Sequence, residues 1–235
     1  MGGNHMKLPL SNRLAACCSF VSPGDRVADI GCDHGYLGIH LLKSGVASSV
    51  IAADVNAQPL ESARQNAERF GVRGQMTFVL CDGLTRVPRD FDVLVCAGMG
   101  ADTMISILGQ APWLKKGTYR LILQCQSKRP QLREYLYRQG FVIRRETLAR
   151  DGKFIYPVME VIYAPGATLS AAESYITPAL RSSGSPLLPE FLRMVTGSLQ
   201  KTVDGLSRTG GEAYLNYAEI LRQLTELEER YDDCC

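Results

Sequence analysis

The sequence lacks the features that would place the protein in a membrane or in an oxidising compartment. No apolar run approaches the roughly 20 residues that a membrane-spanning helix needs, and no signal-peptide pattern opens the chain. The eight cysteines include no C-x-x-C pair, and four of them form two adjacent pairs, which rarely make internal disulfides. We therefore expect a cytoplasmic protein with reduced thiols, no membrane and no obligatory protein partner.

A metal site is the one alternative that the cysteines raise. Four of them fall at the carboxyl ends of predicted strands: Cys32, Cys81, Cys96 and Cys125. Their spacing matches no zinc pattern, and free cysteine behaves mostly as a small buried hydrophobe. We expect no metal.

A complete dinucleotide fingerprint, G-x-G-x-x-G, is also missing from the most informative stretch, residues 26–38. Its apolar start predicts a buried strand, Gly31 a sharp turn, and the run from Tyr36 the beginning of a helix. Asp33 stands where the second glycine of the fingerprint belongs. Its carboxylate would repel a pyrophosphate, but it suits the ammonium and sulfonium groups of S-adenosylmethionine (AdoMet).

The same turn resembles the D-x-G-x-G-x-G motif of class I AdoMet-dependent methyltransferases, with Asp29, Gly31 and Gly35 in register. A glycine turn at this place lets a ligand approach the backbone closely. We therefore expect the ligand to lie over the turn.

Strands and helices alternate along the first two thirds of the chain. Strands are predicted over residues 26–30, 49–53, 76–80, 91–97, 119–123, 141–147 and 154–163. Helices are predicted over residues 11–20, 36–43, 59–70, 102–108 and 130–139. This alternation predicts an α/β fold: a doubly wound, mostly parallel, seven-stranded Rossmann-like sheet with an antiparallel edge.

The chain divides into three parts by composition. Residues 1–5 have the character of an expression scar before a start near Met6, residues 6–165 form the α/β domain, and residues 166–235 carry only helical periodicity. Helices are predicted over 171–181, 189–203 and 211–231. The last has a coiled-coil-like seam of Tyr214, Tyr217, Leu221, Leu224 and Leu227. We expect a helical hairpin that docks on the domain or projects from it, with dimerisation through the seam as the alternative.

Polar residues collect where the predicted strands end. Asp54 follows the second strand, where a doubly wound fold places a carboxylate on ribose hydroxyls; the alternative is a cap for the next helix. Asp82 and Gln124 follow later strands. Because ligands of such sheets bind beyond the carboxyl ends of the strands, we expect these residues to border one site.

Charge is distributed unevenly. Residues 115–153 contain eleven Lys or Arg against three acids, a net charge of +8, whereas the chain from Glu212 onward has a net charge of −5. A basic face beside the site suits a polyanion such as RNA, and we expect RNA contacts from Lys128, Arg129 and Arg133. An ordinary solvated face is the alternative.

Several longer motifs resemble one family, the bacterial tRNA (adenine-N1)-methyltransferases of the TrmK type, which act on adenosine 22. The matching residues, spread over about 10–165, are Leu10-Ser-Asn-Arg13-Leu, Ala28-Asp29-Ile-Gly31-Cys-Asp33-His34-Gly-Tyr36-Leu, Asp82-Gly83-Leu84, Ala97-Gly98-Met99-Gly100, Leu121-Ile-Leu-Gln124 and Leu132-Arg133-Glu134. A C-terminal coiled-coil hairpin also belongs to that family. Ala101 and Cys125 depart from its pattern.

The resemblance implies an AdoMet-dependent tRNA methyltransferase and assigns residues to it. AdoMet contacts are implied for Gly31, Asp33, Asp54, Asp82, Gly83, Gly98 and Met99. The transfer site would be formed by Asp33, His34, Tyr36 and Arg13, with His34 open to a capping or structural role instead. Methylation of a small molecule, or binding of AdoMet or tRNA without catalysis, is the alternative function.

The loop after the fourth strand bears on which nitrogen is methylated. Enzymes that methylate the exocyclic N6 amine of adenine typically carry an Asn- or Asp-Pro-Pro-aromatic loop there. Residues 97–100 read Ala-Gly-Met-Gly, with no side-chain carboxamide or carboxylate to accept a proton from N6. The loop therefore favours attack by the ring nitrogen N1 through its own lone pair.

Overall fold

The computed structural model describes residues 8–116, 118–208 and 210–232, and a seven-stranded sheet lies at its centre. The strands are β1 (Arg26–Ile30), β2 (Ser49–Asp54), β3 (Met76–Leu80), β4 (Val93–Met99), β5 (Arg120–Cys125), β6 (Phe141–Asp151) and β7 (Phe154–Tyr163). Their order is β3-β2-β1-β4-β5-β7-β6, and only the pairs that β7 makes with β5 and β6 are antiparallel. The predicted fold is confirmed.

Helices cover both faces of the sheet. They are α1 (Asn12–Cys18), α2 (Tyr36–Lys43), α3 (Ala57–Arg69), α4 (Ala101–Gly109), α5 (Arg129–Arg138), α6 (Pro178–Arg181), α7 (Leu188–Leu206) and α8 (Gly211–Asp232). Alternate residues of β4 serve two cores: Leu94 and Cys96 pack with α4 and α5, whereas Val93 and Val95 pack with α1, α2 and α3. None of the described helices is long and apolar enough to cross a membrane.

Four strands end later than predicted: β2 by one residue, β4 and β5 by two, and β6 by four. β4 continues past Ala97 because Met99 still pairs with Cys125 after an irregularity at Gly98, whose φ is 80°. β6 continues to Asp151 because it stays paired with β7 as far as Phe154. The extensions of β4 and β6 are set by pairing with the neighbouring strand rather than by local sequence.

The last two helices pack against each other as a hairpin. The seam buries Leu224 as predicted and also Ile220, which the prediction omitted, whereas Tyr214 lies outside this core. The Thr196 hydroxyl donates a 2.7 Å hydrogen bond to Glu228 across the pair. Leu148 of β6 belongs to the same core, so the hairpin docks on the sheet. Dimerisation through the seam and the domain boundary at 165 stay predictions.

The segment before the hairpin is not the continuous helix predicted over 171–181. Only Pro178–Arg181 is α-helical. The Thr177 hydroxyl accepts a hydrogen bond from the Leu180 N–H and so starts a new helix there, and Pro178 has no N–H with which to continue the preceding turns. The predicted expression scar, the start near Met6 and the adjacent cysteines 234 and 235 lie outside the described residues.

Arg133 is completely buried, so the prediction that it contacts RNA is wrong. Its guanidinium pairs with buried Glu146 and donates hydrogen bonds to the carbonyls of Ser174 (3.0 Å) and Tyr175 (2.6 Å). Glu146 also accepts from the Thr177 hydroxyl. This network attaches residues 174–177 to β6 and to α5.

Much of the remaining basic run is also neutralised inside the fold. Arg120, Arg144 and Arg145 converge on the buried carboxylate of Glu160, and Arg150 pairs with Glu190 of α7. The excess of basic residues over 115–153 therefore does not form the single basic face that was predicted. At the carboxyl ends of the strands, Arg129 and Lys153 have no carboxylate partner among the described residues, and Lys128 pairs with the exposed Asp102.

Replacing Arg133 tests the role of this network. Because Arg133→Ala leaves the Glu146 carboxylate buried without its partner, we expect the free energy of unfolding to fall by about 3–5 kcal/mol. Arg138→Ala, an exposed substitution on the same helix, should change it by less than about 0.5 kcal/mol. Denaturant unfolding measures both. Equal effects would mean that burial of the ion pair does not support the fold.

Candidate active site

A cavity of about 730 Å³ opens where the parallel strands end. Its walls come from α1, from the loops after β1, β2, β3 and β4, and from α4. All ten residues predicted for the cofactor and the transfer site line it: Arg13, Gly31, Asp33, His34, Tyr36, Asp54, Asp82, Gly83, Gly98 and Met99. Lys128 and Arg129 lie outside it, beside a second cavity.

The turn after β1 approaches the cavity with its backbone. Gly31 has a φ of 70°, and its N–H donates to the Ala53 carbonyl at 2.8 Å, which continues the pairing of β1 with β2. A Cβ at this position would lie 2.1 Å from the Cε atom of Met99, whose side chain crosses over the turn. The φ of 70° favours glycine here, whereas the Met99 methyl, at the end of a flexible side chain, could move aside.

The Asp54 carboxylate connects the turn after β1 with the start of α3. One oxygen accepts from the backbone N–H of Asp33 (3.2 Å) and the other from that of Asn56 (2.9 Å). Asn56, not Asp54, is the N-cap residue of α3, so the capping alternative for Asp54 is wrong. Each carboxylate oxygen has a further lone pair with which to accept from a ligand hydroxyl.

Asp33 and its neighbours form the outer wall. Asp33 has a left-handed φ of 50°, and its carboxylate lies 3.6 Å from Nε2 of His34. The His34 and Tyr36 rings lie 5.8 Å apart between centroids. Gly35 is the N-cap of α2 and the His34 side chain is 51% exposed, so His34 neither caps the helix nor supports the core. Its catalytic role stays a prediction.

Gln124 was expected to border the site, but it lies behind the opposite wall and is not among the described residues that line the cavity. It is fully buried, and its Oε1 atom accepts from Nη1 of Arg13 (3.2 Å) and from the Gly98 N–H (3.0 Å). Arg13 is held from its other side by Asp151 at 3.6 Å. The sequence feature that could have indicated the role of Gln124 is a polar residue at the end of an otherwise apolar strand.

Asp29 is a buried carboxylate in the cavity wall that the sequence analysis used only to align the motif. Its Oδ2 atom is buried and has no hydrogen-bond partner among the described residues. Burial, together with the neighbouring charge of Asp54, raises the pKa of the Asp29 carboxyl to about 7. A cationic group in the cavity would relieve both effects.

Two other residues of the cavity wall were not predicted from the sequence. Val55, directly after Asp54, is 60% exposed in the cavity, where it offers an apolar surface to a planar ring. Asp102 of α4 is a fifth aspartate in the cavity wall and pairs with Lys128 at 2.7 Å. An apolar residue immediately after a strand-end carboxylate was the signal for Val55, whereas Asp102 reaches the cavity only through the position of α4.

Comparison with known proteins shows which family the chain belongs to. The family described as a methyltransferase domain matches residues 10–159. A Bacillus subtilis (strain 168) protein, tRNA (adenine(22)-N(1))-methyltransferase, is 30% identical over 203 residues, which make up 83% of this chain and 84% of that protein. The chain belongs to the tRNA (adenine(22)-N(1))-methyltransferase family. The family resemblance read from the motifs is confirmed.

Solved structures agree with this tRNA methyltransferase family. Streptococcus pneumoniae Sp1610, a proposed tRNA (m1A22) methyltransferase crystallised with S-adenosyl-L-methionine, is 28% identical with a TM-score of 0.77, over 93% of this chain and 99% of that one. A Streptococcus agalactiae protein of the NADB-Rossmann superfamily is 26% identical with a TM-score of 0.85, over 96% of this chain and all of that one (100%).

The raised pKa of Asp29 predicts how the stability of this family member depends on pH. The folded-state pKa of about 7 exceeds the ordinary value of 3.8, so the folded state binds more protons between these values. Stability should therefore fall as the pH rises from 5 to 8, with a contribution on the order of 2–3 kcal/mol from this group. Asp29→Asn should remove that contribution.

Denaturant unfolding of Asp29→Asn and of the unaltered protein at several pH values measures the difference between their free energies of unfolding. The contributions of the other titrating groups cancel in this difference. Asp82→Asn, which removes an exposed carboxylate from the same cavity, is the control. A constant difference between Asp29→Asn and the parent protein across this range would contradict the assignment.

Proposed function

We propose that this protein transfers the methyl group of AdoMet to N1 of an adenosine in tRNA, at position 22 as in the name of the B. subtilis relative. The observation that carries the proposal is the convergence of four aspartates and a glycine turn in the cavity of a family member: Asp29, Asp33, Asp54 and Asp82, with Gly31. This set suits a cofactor that has positive charges and ribose hydroxyls. We place the reaction in the cytoplasm, where tRNA is modified.

The residues of the cavity fit AdoMet. The Oδ2 atom of Asp29 is buried and unpartnered, and the backbone at Gly31 has no Cβ to keep a ligand away. AdoMet supplies an electrophilic methyl group on a sulfonium. Asp33 would hold its ammonium end, Asp54 its ribose hydroxyls, and Val55 with Asp82 and Gly83 its adenine.

The target adenine would lie between α1 and the start of α2. His34 and Tyr36 offer ring faces for stacking, and Arg13, held by Gln124 and Asp151, borders the same space. Since N1 attacks with its own lone pair, the protein needs to orient the base rather than to supply a strong general base. Methyl transfer moves positive charge onto the base, and the exposed carboxylate of Asp33 stabilises it there.

The nucleotide must leave its stack to reach this cavity, because N1 of a paired adenine is occupied by its partner base. Lys128 and Arg129, at the start of α5, lie beside the cavity mouth and bind the RNA backbone in this proposal. Arg133, which is buried, does not contribute to RNA binding directly.

Cofactor choice is tested by thermal unfolding. AdoMet should raise the melting temperature, by the equivalent of about 2.7 kcal/mol at a hundredfold excess over its Kd, and NAD should not. Asp33→Asn, which tolerates the left-handed φ of this position better than alanine would, should weaken AdoMet binding by roughly ten- to a hundredfold through the lost charge-assisted contact. Calorimetric titration measures the affinities. Equal stabilisation by AdoMet and NAD would refute the cofactor assignment.

Product identity tests the reaction. The loop at 97–100 offers backbone and a thioether, and the Gly98 N–H is already donated to Gln124. We therefore expect 1-methyladenosine and no N6-methyladenosine in tRNA treated with the protein and AdoMet. Chromatography of nucleosides digested under mild conditions separates the isomers, and alkali converts the first into the second. A product that is N6-methyladenosine before alkaline treatment would refute the proposal, as would methylation of small molecules but not of tRNA.

A further inference from the structure

A second cavity, of about 390 Å³, lies between the start of α5 and the C-terminal hairpin. One wall is formed by Ser127, Lys128 and Arg129, and the other by Ser198 and Thr202 of α7 with Tyr217 of α8. Hydroxyl groups and cations thus face one another across a space that the cofactor and the target base do not use. This volume is within the range of small-ligand sites.

The cavity carries positive charge that the protein does not balance. Lys128, Arg129 and Arg133 line it, and its described lining residues include no aspartate or glutamate. Arg133 is paired with Glu146, but within the described part of the chain no carboxylate pairs with Arg129. The Arg129 guanidinium lies instead over the ring of Phe191, 5.3 Å from its centroid.

Burial opposes the charge of Arg129. Desolvation and the neighbouring charge of Arg133 both lower the pKa of Arg129 from its usual value, although an arginine stays protonated. A partly buried cation without a counterion destabilises the protein until an anion reaches it.

The start of α5 adds positive potential at the same place. Lys128 is the N-cap residue of this helix and makes no side-chain cap, so the positive end of the helix dipole faces the cavity. The unbalanced cation, the uncapped helix start and the hydroxyl groups of the opposite wall together indicate an anion-binding site.

We propose that this cavity binds a phosphodiester of the tRNA backbone close to the nucleotide that enters the active site. The inference rests on the proposed function and adds the subsite that holds the strand. Arg129 binds the phosphate oxygens, Lys128 adds a second cation, and the hydroxyl of Ser198 donates from the hairpin.

The position of the cavity fits this role. Lys128 pairs with Asp102, a residue of the active-site wall, at 2.7 Å. Both side chains are largely exposed, 56% and 72%, so the pair is weak and Lys128 is free to turn toward a phosphate. The loop that carries it is also fixed to the end of β4, since the Gln126 N–H donates to the Met99 carbonyl at 2.8 Å.

The test adds one negative charge to the hairpin wall. Ser198→Glu changes an exposed helical position, so the protein should fold and bind AdoMet as before, but its affinity for tRNA should fall about tenfold or more. Thr225→Glu makes the same change of charge at an exposed position of α8, eight residues beyond Tyr217 and roughly 12 Å along the helix, outside the screening length. It should bind tRNA like the unaltered protein.

A second variant measures the contact itself. Arg129→Gln should lower the log–log slope of tRNA affinity against salt by about 0.7–0.9, the value for one lost phosphate contact. Melting temperatures with and without AdoMet show that each variant is folded.

The outcomes separate this inference from the proposed function. If the unaltered protein does not methylate tRNA, the proposed function fails. If it does, but Ser198→Glu binds tRNA as tightly as Thr225→Glu, or Arg129→Gln leaves the salt slope unchanged, the phosphate site is wrong and the enzymatic proposal stands.

Discussion

The hydrogen bonds of one carboxylate hold the active-site loops together. Asp54 accepts from the N–H of Asp33 in the turn after β1 and from that of Asn56 at the start of α3. Asp33 adopts a left-handed conformation that costs an aspartate on the order of 1–3 kcal/mol and persists only where its surroundings fix it. The pairing of Ile30 with Ala53 places the two loops within reach of each other. Cofactor geometry thus depends on the register of β1 and β2.

The sequence was sufficient for features that local pattern determines. Apolar runs marked the seven strands, and Asp33 in the glycine turn distinguished a cationic cofactor from a dinucleotide. Strand ends were predicted less well, because β4 continues through Gly98 only by pairing with β5. Contacts between distant residues could not be predicted at all: Arg13 and Gln124 are 111 positions apart and meet through the docking of α1.

The basic residues also show that contacts between distant residues cannot be predicted from the sequence. A count of basic residues treats Arg133 and Arg129 alike, although Glu146 neutralises the first, whereas the second lies over the Phe191 ring and has no carboxylate partner in the described part of the chain. The difference arises from β6 and from residues 174–177, which reach α5 only in the folded chain. Buried arginines in this fold attach its parts to one another, so a count of basic residues overstates the charge that is available to an external anion.

The ion pair between Lys128 and Asp102 has a thermodynamic consequence, because one member lines each cavity. An anion that draws Lys128 away leaves the Asp102 carboxylate uncompensated and makes the first cavity more attractive to a cation. By linkage, a cation in the first cavity must strengthen anion binding in the second by the same factor. Methyl transfer would move the positive charge from the sulfonium onto the base, which occupies the same cavity, so this coupling outlasts the chemical step. The hold on the anion would then weaken only when the charged base leaves the first cavity.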